Sequence, residues 1–240
     1  MVINVVGLTM DMLGDNTPNL RRLAQDGFAR PLETVLPAVT CTVQASMLTG
    51  LMPSQHGVVA NGWYFRELAE VMFWKQSNSL IQGQKVYETA KERMPSHTTA
   101  KMFWWYNMYA DVAWSVTPRP SYPADGRKIP DTYSEPAELR DQLQAKLGRF
   151  PLFNFWGPTA DIRSTQWIAD ASVEVFRTQK PSLMLVYLPH LDYNLQRLGP
   201  NDPAIAEDIR LVDREAGKLI DVAHAEGAEV VVLSDRKSVV

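Results

Sequence analysis

The feature that most constrains this chain is a set of short, almost unbroken apolar runs: Val2-Ile3-Asn4-Val5-Val6, Leu183-Met184-Leu185-Val186-Tyr187-Leu188 and Glu229-Val230-Val231-Val232-Leu233. A strand with one face in water alternates polar and apolar residues, whereas a strand covered on both faces does not, so these runs predict buried parallel strands. Helical patterns lie among them. Thr17-Pro18-Asn19 opens a helix that Gly27 stops, and Val39 to Leu48 reads as a second helix closed by Gly50. With Arg30 to Leu36 taken as a further strand, the first 60 residues read strand, helix, strand, helix. Ile168 to Phe176 and Ala204 to Glu226 are helical, the second with Ile205, Ile209, Val212, Ala216, Leu219 and Ile220 on one face. Strands alternating with helices predict an α/β layered fold.

The middle of the chain lacks this order. Six of the seven tryptophans lie between Gly62 and Pro158, in segments such as Phe103-Trp104-Trp105-Tyr106 with no clear period. The expected division is a core of residues 1–61 and 159–240 with a cap-like, aromatic-rich insertion at about 62–158. The last strand runs into Ser234-Asp235 close to Lys237-Ser238-Val239-Val240, so the domain is expected to be incomplete at its C-terminus.

Composition narrows the function classes. A net charge of −3 gives no basic surface for nucleic acid or an anionic membrane. Cys41 is the single cysteine, which excludes an internal disulfide and a cysteine-rich zinc site. With no apolar stretch of membrane-spanning length and no signal-peptide pattern, a cytoplasmic protein is expected. Oligomeric state has no signature.

In an open parallel sheet, ligands collect at the carboxyl ends of the strands. Those ends carry Gly7-Leu8-Thr9, Pro37-Ala38-Val39-Thr40, Pro189-His190-Leu191-Asp192 and Ser234-Asp235. Oxygen-rich strand ends suit a hard or borderline metal ion. Thr40, at a helix start, is either a plain cap or a hydroxyl held where backbone N–H groups attract an anion. Asp208 and Asp213 on the long helix read as a solvated face, and His97 and His224 as surface residues.

The segment from Pro37 to Asn61 resembles the nucleophile segment of nucleotide pyrophosphatases/phosphodiesterases, a branch of the alkaline phosphatase superfamily that includes phosphonoacetate hydrolase. A Pro is followed by Thr40, then Thr49-Gly50, then Pro53-Ser54-Gln55-His56-Gly57 and Asn61, all in register. The resemblance implies a three-layer α/β/α sandwich around a mostly parallel sheet, with a cap. It also implies one or two divalent metal ions, zinc above others, Thr40 as nucleophile, and Asn61 with the Cys41 backbone supporting substrate oxygens. Asp192 and Asp235 become metal ligands, and His56-Gly57 a structural turn.

This sequence departs from the family at several ligand positions. Val6 precedes Gly7 where the family has Asp, Gln196 stands for a histidine, and Arg236 stands for the histidine after Asp235. Asn4, on the strand face of Val6, or Asp11 in the following loop, and Gln196 are the candidate substitutes. His190 either adds a nitrogen ligand or is a hydrogen-bonded strand-end histidine. The expected activity is metal-dependent hydrolysis of a phosphodiester, pyrophosphate or phosphonate substrate through Thr40. The alternative is a degenerate member that binds a small phosphorylated metabolite without turnover.

Overall fold

The computed structural model describes residues 1–236; the expectation about the C-terminal tetrapeptide falls outside them. Its strands are β1 (Val2–Val5), β2 (Gly62–Phe65), β3 (Glu70–Phe73), β4 (Thr99–Met102), β5 (Trp114–Pro118), β6 (Thr132–Glu135), β7 (Leu183–Leu188) and β8 (Val231–Leu233). Six of them form one sheet in the order β6-β5-β4-β7-β1-β8, parallel throughout except for the antiparallel β5–β6 pair. β1 lies between β7 and β8, with Asn4 opposite Tyr187 on one side and Leu233 on the other.

The helices are α1 (Pro18–Asp26), α2 (Thr40–Thr49), α3 (Pro53–His56), α4 (Val86–Arg93), α5 (Ala137–Leu147), α6 (Ile162–Gln179), α7 (His190–Leu198) and α8 (Ile205–Ala225). Successive residues of β4 and β7 are buried, so both faces of the central sheet are covered, as the unbroken apolar runs require. α6 packs on β4 and β7, and α8 packs on α6, α1, α7 and β1. The α/β class expected from the sequence is the class observed.

Four local readings change. Residues 28–36 form no strand: Phe28, Leu32 and Leu36 are exposed, and the segment is an open loop running into a cis Leu36–Pro37 bond. Within 62–158, expected as an insertion, β4, β5 and β6 belong to the main sheet, and the β2–β3 hairpin forms the only separate sheet among the described residues. These strands are four or five residues long and carry Lys101, Ser115 and Ser134, which hides them from an apolar pattern.

Asp208 and Asp213 are buried rather than solvated. Asp213 caps α1 from across the helix pair, accepting the Asn19 and Leu20 backbone N–H groups at 3.2 and 2.9 Å. Thr17, the expected cap, instead turns its hydroxyl back to the Met12 carbonyl at 2.9 Å. No helix of the described residues is long and apolar enough to cross a membrane.

Candidate active site

The carboxyl ends of β1, β7 and β8 open on one region, and the first turn of α2 enters it. Thr40 is the first residue of α2, after Val39 in extended backbone, and Gly50 closes the helix in the left-handed conformation with φ 69°. α2 is pinned at its far end by a neutral histidine. His56 Nδ1 accepts the Val58 N–H at 3.1 Å, which leaves Nε2 to donate to Ser46 Oγ at 2.9 Å. Burial holds the His56 pKa below its ordinary value, consistent with that role, and Gly57 makes the turn with φ 78°.

Asn61 Oδ1 accepts the Cys41 backbone N–H at 3.0 Å. That bond brings together the two residues expected to support substrate oxygens, and the Asn61 amide nitrogen is left as a donor at the helix start. The Cys41 thiol is buried and pushed up to about 12 by that burial, so it is inert at neutral pH.

The centre of the site is a charged bridge. Arg236 Nη1 donates to Thr40 Oγ at 2.8 Å, while Nη2 and Nε donate to the two Asp192 oxygens at 2.5 and 3.4 Å. Burial works against the guanidinium charge, and Asp192 and Asp235 outweigh it, so the Arg236 pKa is raised. Gln196, one turn after Asp192 on α7, donates its amide to Asp192 Oδ2 at 2.6 Å.

Asp235 is 4% exposed, and neither oxygen accepts a hydrogen bond of ordinary geometry from the described residues. Burial raises its pKa, although Arg236 and the neighbouring Thr40 hydroxyl pull the other way. The Tyr187 phenol lies beside Thr40, Asp235 and Asp192, and burial pushes it far above its ordinary range, so it stays neutral.

The other candidates divide. Asn4 is fully buried in β1 with both amide atoms without a hydrogen bond among the described residues. His190 and Asp192 do not share a strand face: both lie in the first turn of α7, because the chain turns helical directly after Pro189. His190 Nε2 points to Asp208 at 3.0 Å, in a buried pair with a residue of α8. Asn194 donates to the other Asp208 oxygen at 2.6 Å.

The donor set does not fit the divalent metal that the family resemblance implies. Among the described residues, no group of three or more His, Cys, Asp or Glu side chains could hold an ion. His190 is committed to Asp208, Gln196 presents its N–H₂ rather than its oxygen to Asp192, and Arg236 has no lone pair to give. Arg236 and Tyr187 are the site residues that sequence reasoning missed.

An aromatic wall adjoins the site. The Trp74 backbone N–H donates to the Asn61 carbonyl at 2.9 Å, and the Trp105 backbone N–H donates to Oε1 of Gln44, one turn after Thr40, also at 2.9 Å. The Trp74 and Trp105 rings lie 4.9 Å apart, and Trp156 stacks on Trp105 at 5.9 Å.

A mostly parallel sheet with a threonine-led helix and paired acids at its carboxyl edge defines an alkaline-phosphatase-like α/β fold. The sequence model of type I phosphodiesterase / nucleotide pyrophosphatase matches residues 1–236, and the chain belongs to that family. It is 24% identical over 210 residues to human ectonucleotide pyrophosphatase/phosphodiesterase family member 7, covering 85% of this chain and 39% of that protein. An uncharacterised pyrophosphatase/phosphodiesterase of Schizosaccharomyces pombe is also 24% identical, over 92% of this chain and 40% of its own length. The chain thus spans about two fifths of the curated relatives it matches.

Among solved structures, phosphonoacetate hydrolase from Sinorhizobium meliloti 1021 in complex with phosphonoacetate superposes with a TM-score of 0.69 at 19% identity. That match covers 98% of this chain and 55% of the hydrolase. Murine ectonucleotide pyrophosphatase/phosphodiesterase 5, an inactive form in complex with AMP, gives 0.63 at 18% identity over 98% and 55%.

Proposed function

We propose that the Thr40 site binds the phosphoryl or phosphonyl group of a small ester and hydrolyses it with Thr40 as nucleophile. One observation carries this reading: the Thr40 hydroxyl is fixed at the first position of α2 by a charged guanidinium, with Asp235 beside it. The first turn of a helix presents free N–H groups and positive potential to an anion. Arg236 and the Asn61 amide add donors for the non-bridging oxygens.

Thr40 has no exposed surface. An arriving anion therefore reaches Oγ as the Arg236 Nη1–H bond passes from Oγ to a phosphoryl oxygen. That exchange frees the lone pair attack requires. Oγ then bonds to phosphorus, its proton passes to Asp235, and the bond to the leaving oxygen breaks; water next cleaves the phospho-threonine. Family membership and the small phosphonate and nucleotide ligands of the structural neighbours support this substrate class. Trp74 and Trp156, which keep exposed surface while packing on the buried Trp105, support a leaving group with a flat ring.

The second reading, binding without turnover, is favoured by the same guanidinium, which covers Oγ in the free protein. Hydrolysis of a chromogenic phosphodiester by this chain and by Thr40→Ala, with and without zinc or manganese, separates the two. Turnover abolished in Thr40→Ala carries the first reading. Equal rates in both proteins refute the nucleophile. Absence of turnover under every metal condition, with ligand binding kept, carries the second.

A further inference from the structure

We infer that Arg236 is the resident cation of this site, a guanidinium that neutralises Asp192 and receives the phosphoryl anion without a bound metal ion. The inference rests on the Thr40 site being a phosphoryl site, as proposed above. Its geometry is that of a bridging cation. A single side chain, 12% exposed, spans an acid on α7 and the hydroxyl that opens α2, with three N–H donors directed at three oxygens.

The space a metal would need is already closed. Asp192 Oδ2 faces the Arg236 Nη2–H and the Gln196 amide N–H, and Oδ1 faces Nε–H, so hydrogens cover the oxygens an ion would coordinate. A divalent ion would have to displace a charged side chain that cannot lose its proton at any working pH. It would then find Asp192, Asp235 and Thr40, and no group of three or more His, Cys, Asp or Glu side chains that could hold an ion lies among the described residues.

The guanidinium, by contrast, has capacity left for an anion. It carries five N–H donors in one plane, and three are engaged. The two that remain, with the Asn61 amide nitrogen at the same helix start, supply a donor set for the oxygens of a tetrahedral anion. The N-terminus of α2 lies at the same place as the guanidinium, so backbone N–H groups and a fixed positive charge both favour an anion there.

The test uses the whole chain, Arg236→Gln and Arg236→Lys, with zinc chloride and inorganic phosphate as separate titrants. The expected result is no stoichiometric zinc uptake by the parent protein in calorimetry, and phosphate binding that persists in EDTA. Phosphate affinity falls at least tenfold in Arg236→Gln and by less in Arg236→Lys, which keeps the charge but not the fork. Melting curves verify that each variant is folded; should Arg236→Gln fail to fold, Arg236→Lys and the zinc titration of the parent decide. One zinc ion bound tightly by the parent, with phosphate binding abolished by EDTA, overturns the inference. Phosphate binding absent from the parent with and without zinc sinks the phosphoryl reading instead, and the zinc titration still decides the identity of the cation.

Discussion

Lys101 sits in β4 with no exposed surface and no ion pair to a carboxylate among the described residues. Its ammonium donates to the Tyr106 carbonyl at 2.8 Å and the Trp105 carbonyl at 3.3 Å, 5.4 Å from the centre of the Tyr87 ring. Burial, assisted by the charge of Lys85 and opposed by Glu88, lowers its pKa from 10.5 to about 7. Below that value folded and unfolded chains both carry the proton, and the group makes no contribution to pH dependence. Between about 7 and 10.5 the unfolded chain holds the proton and the folded chain releases it. Stability therefore rises with pH in that window, by up to about 1.4 kcal/mol per unit. From roughly pH 7.5 to 9 the gain is about 2 kcal/mol.

Lys101→Met keeps the length, removes the charge, and forfeits the bonds to the two carbonyls at a pH-independent cost of about 1–3 kcal/mol. The informative quantity is thus the change with pH in the difference between the two proteins. Urea denaturation of both at three values across that window is expected to show the parent gaining about 2 kcal/mol on the variant. Parallel pH profiles would show that Lys101 titrates near its ordinary value and that the burial argument is wrong.

Asp213→Ala removes the cap of α1 and is expected to cost about 2–3 kcal/mol, because it strands backbone donors that meet a charged acceptor. Thermal melting that matches the parent would mean water caps that helix equally well. At Gly62 an added Cβ would lie 2.3 Å from the Phe73 ring and 2.8 Å from the Met72 carbonyl. Gly62→Ala should therefore lower stability by about 1–3 kcal/mol and weaken phosphate binding through the adjacent Asn61, which equilibrium titration would detect. His190→Ala should lower stability by about 1–3 kcal/mol, by leaving buried Asp208 short of a donor, yet leave turnover and metal response unchanged. A loss of metal response in that variant would restore His190 as a ligand.

What the sequence made legible divides along physical lines. β1 and β7 were readable because both of their faces are buried, so no polar residue interrupts the run except Asn4. β8 is as apolar, yet it ends the described sheet with Val231 exposed and Val232 and Leu233 half-buried, so the buried strand expected there is not found. β4 was not, because Lys101 stands in its middle and the burial of a lysine depends on the carbonyls of Trp105 and Tyr106. Arg30 to Leu36 has strand-like residues, but it joins neither described sheet and leaves Leu32 and Leu36 exposed. The long helix showed its apolar face correctly, yet periodicity assigned Asp208 and Asp213 to water, when their partners are His190 on α7 and the start of α1. Thr40 and Asn61 could be placed together by spacing within one segment. The role of Arg236 could not, since its partners lie 44 and 196 residues away and nothing local marks it as a bridge.

The position of β1 between β7 and β8 has a consequence for how the chain is made. Among the described residues β1 pairs only with β7 and β8, Val2 opposite Leu185 and Val231, so its hydrogen-bonding edges stay open while the residues between are translated. At about 5–20 residues per second, that exposure lasts on the order of ten seconds or more. An apolar segment with both edges unpaired for so long is a template for association with other nascent chains. This architecture therefore places its main demand on protection during synthesis rather than on stability once folded.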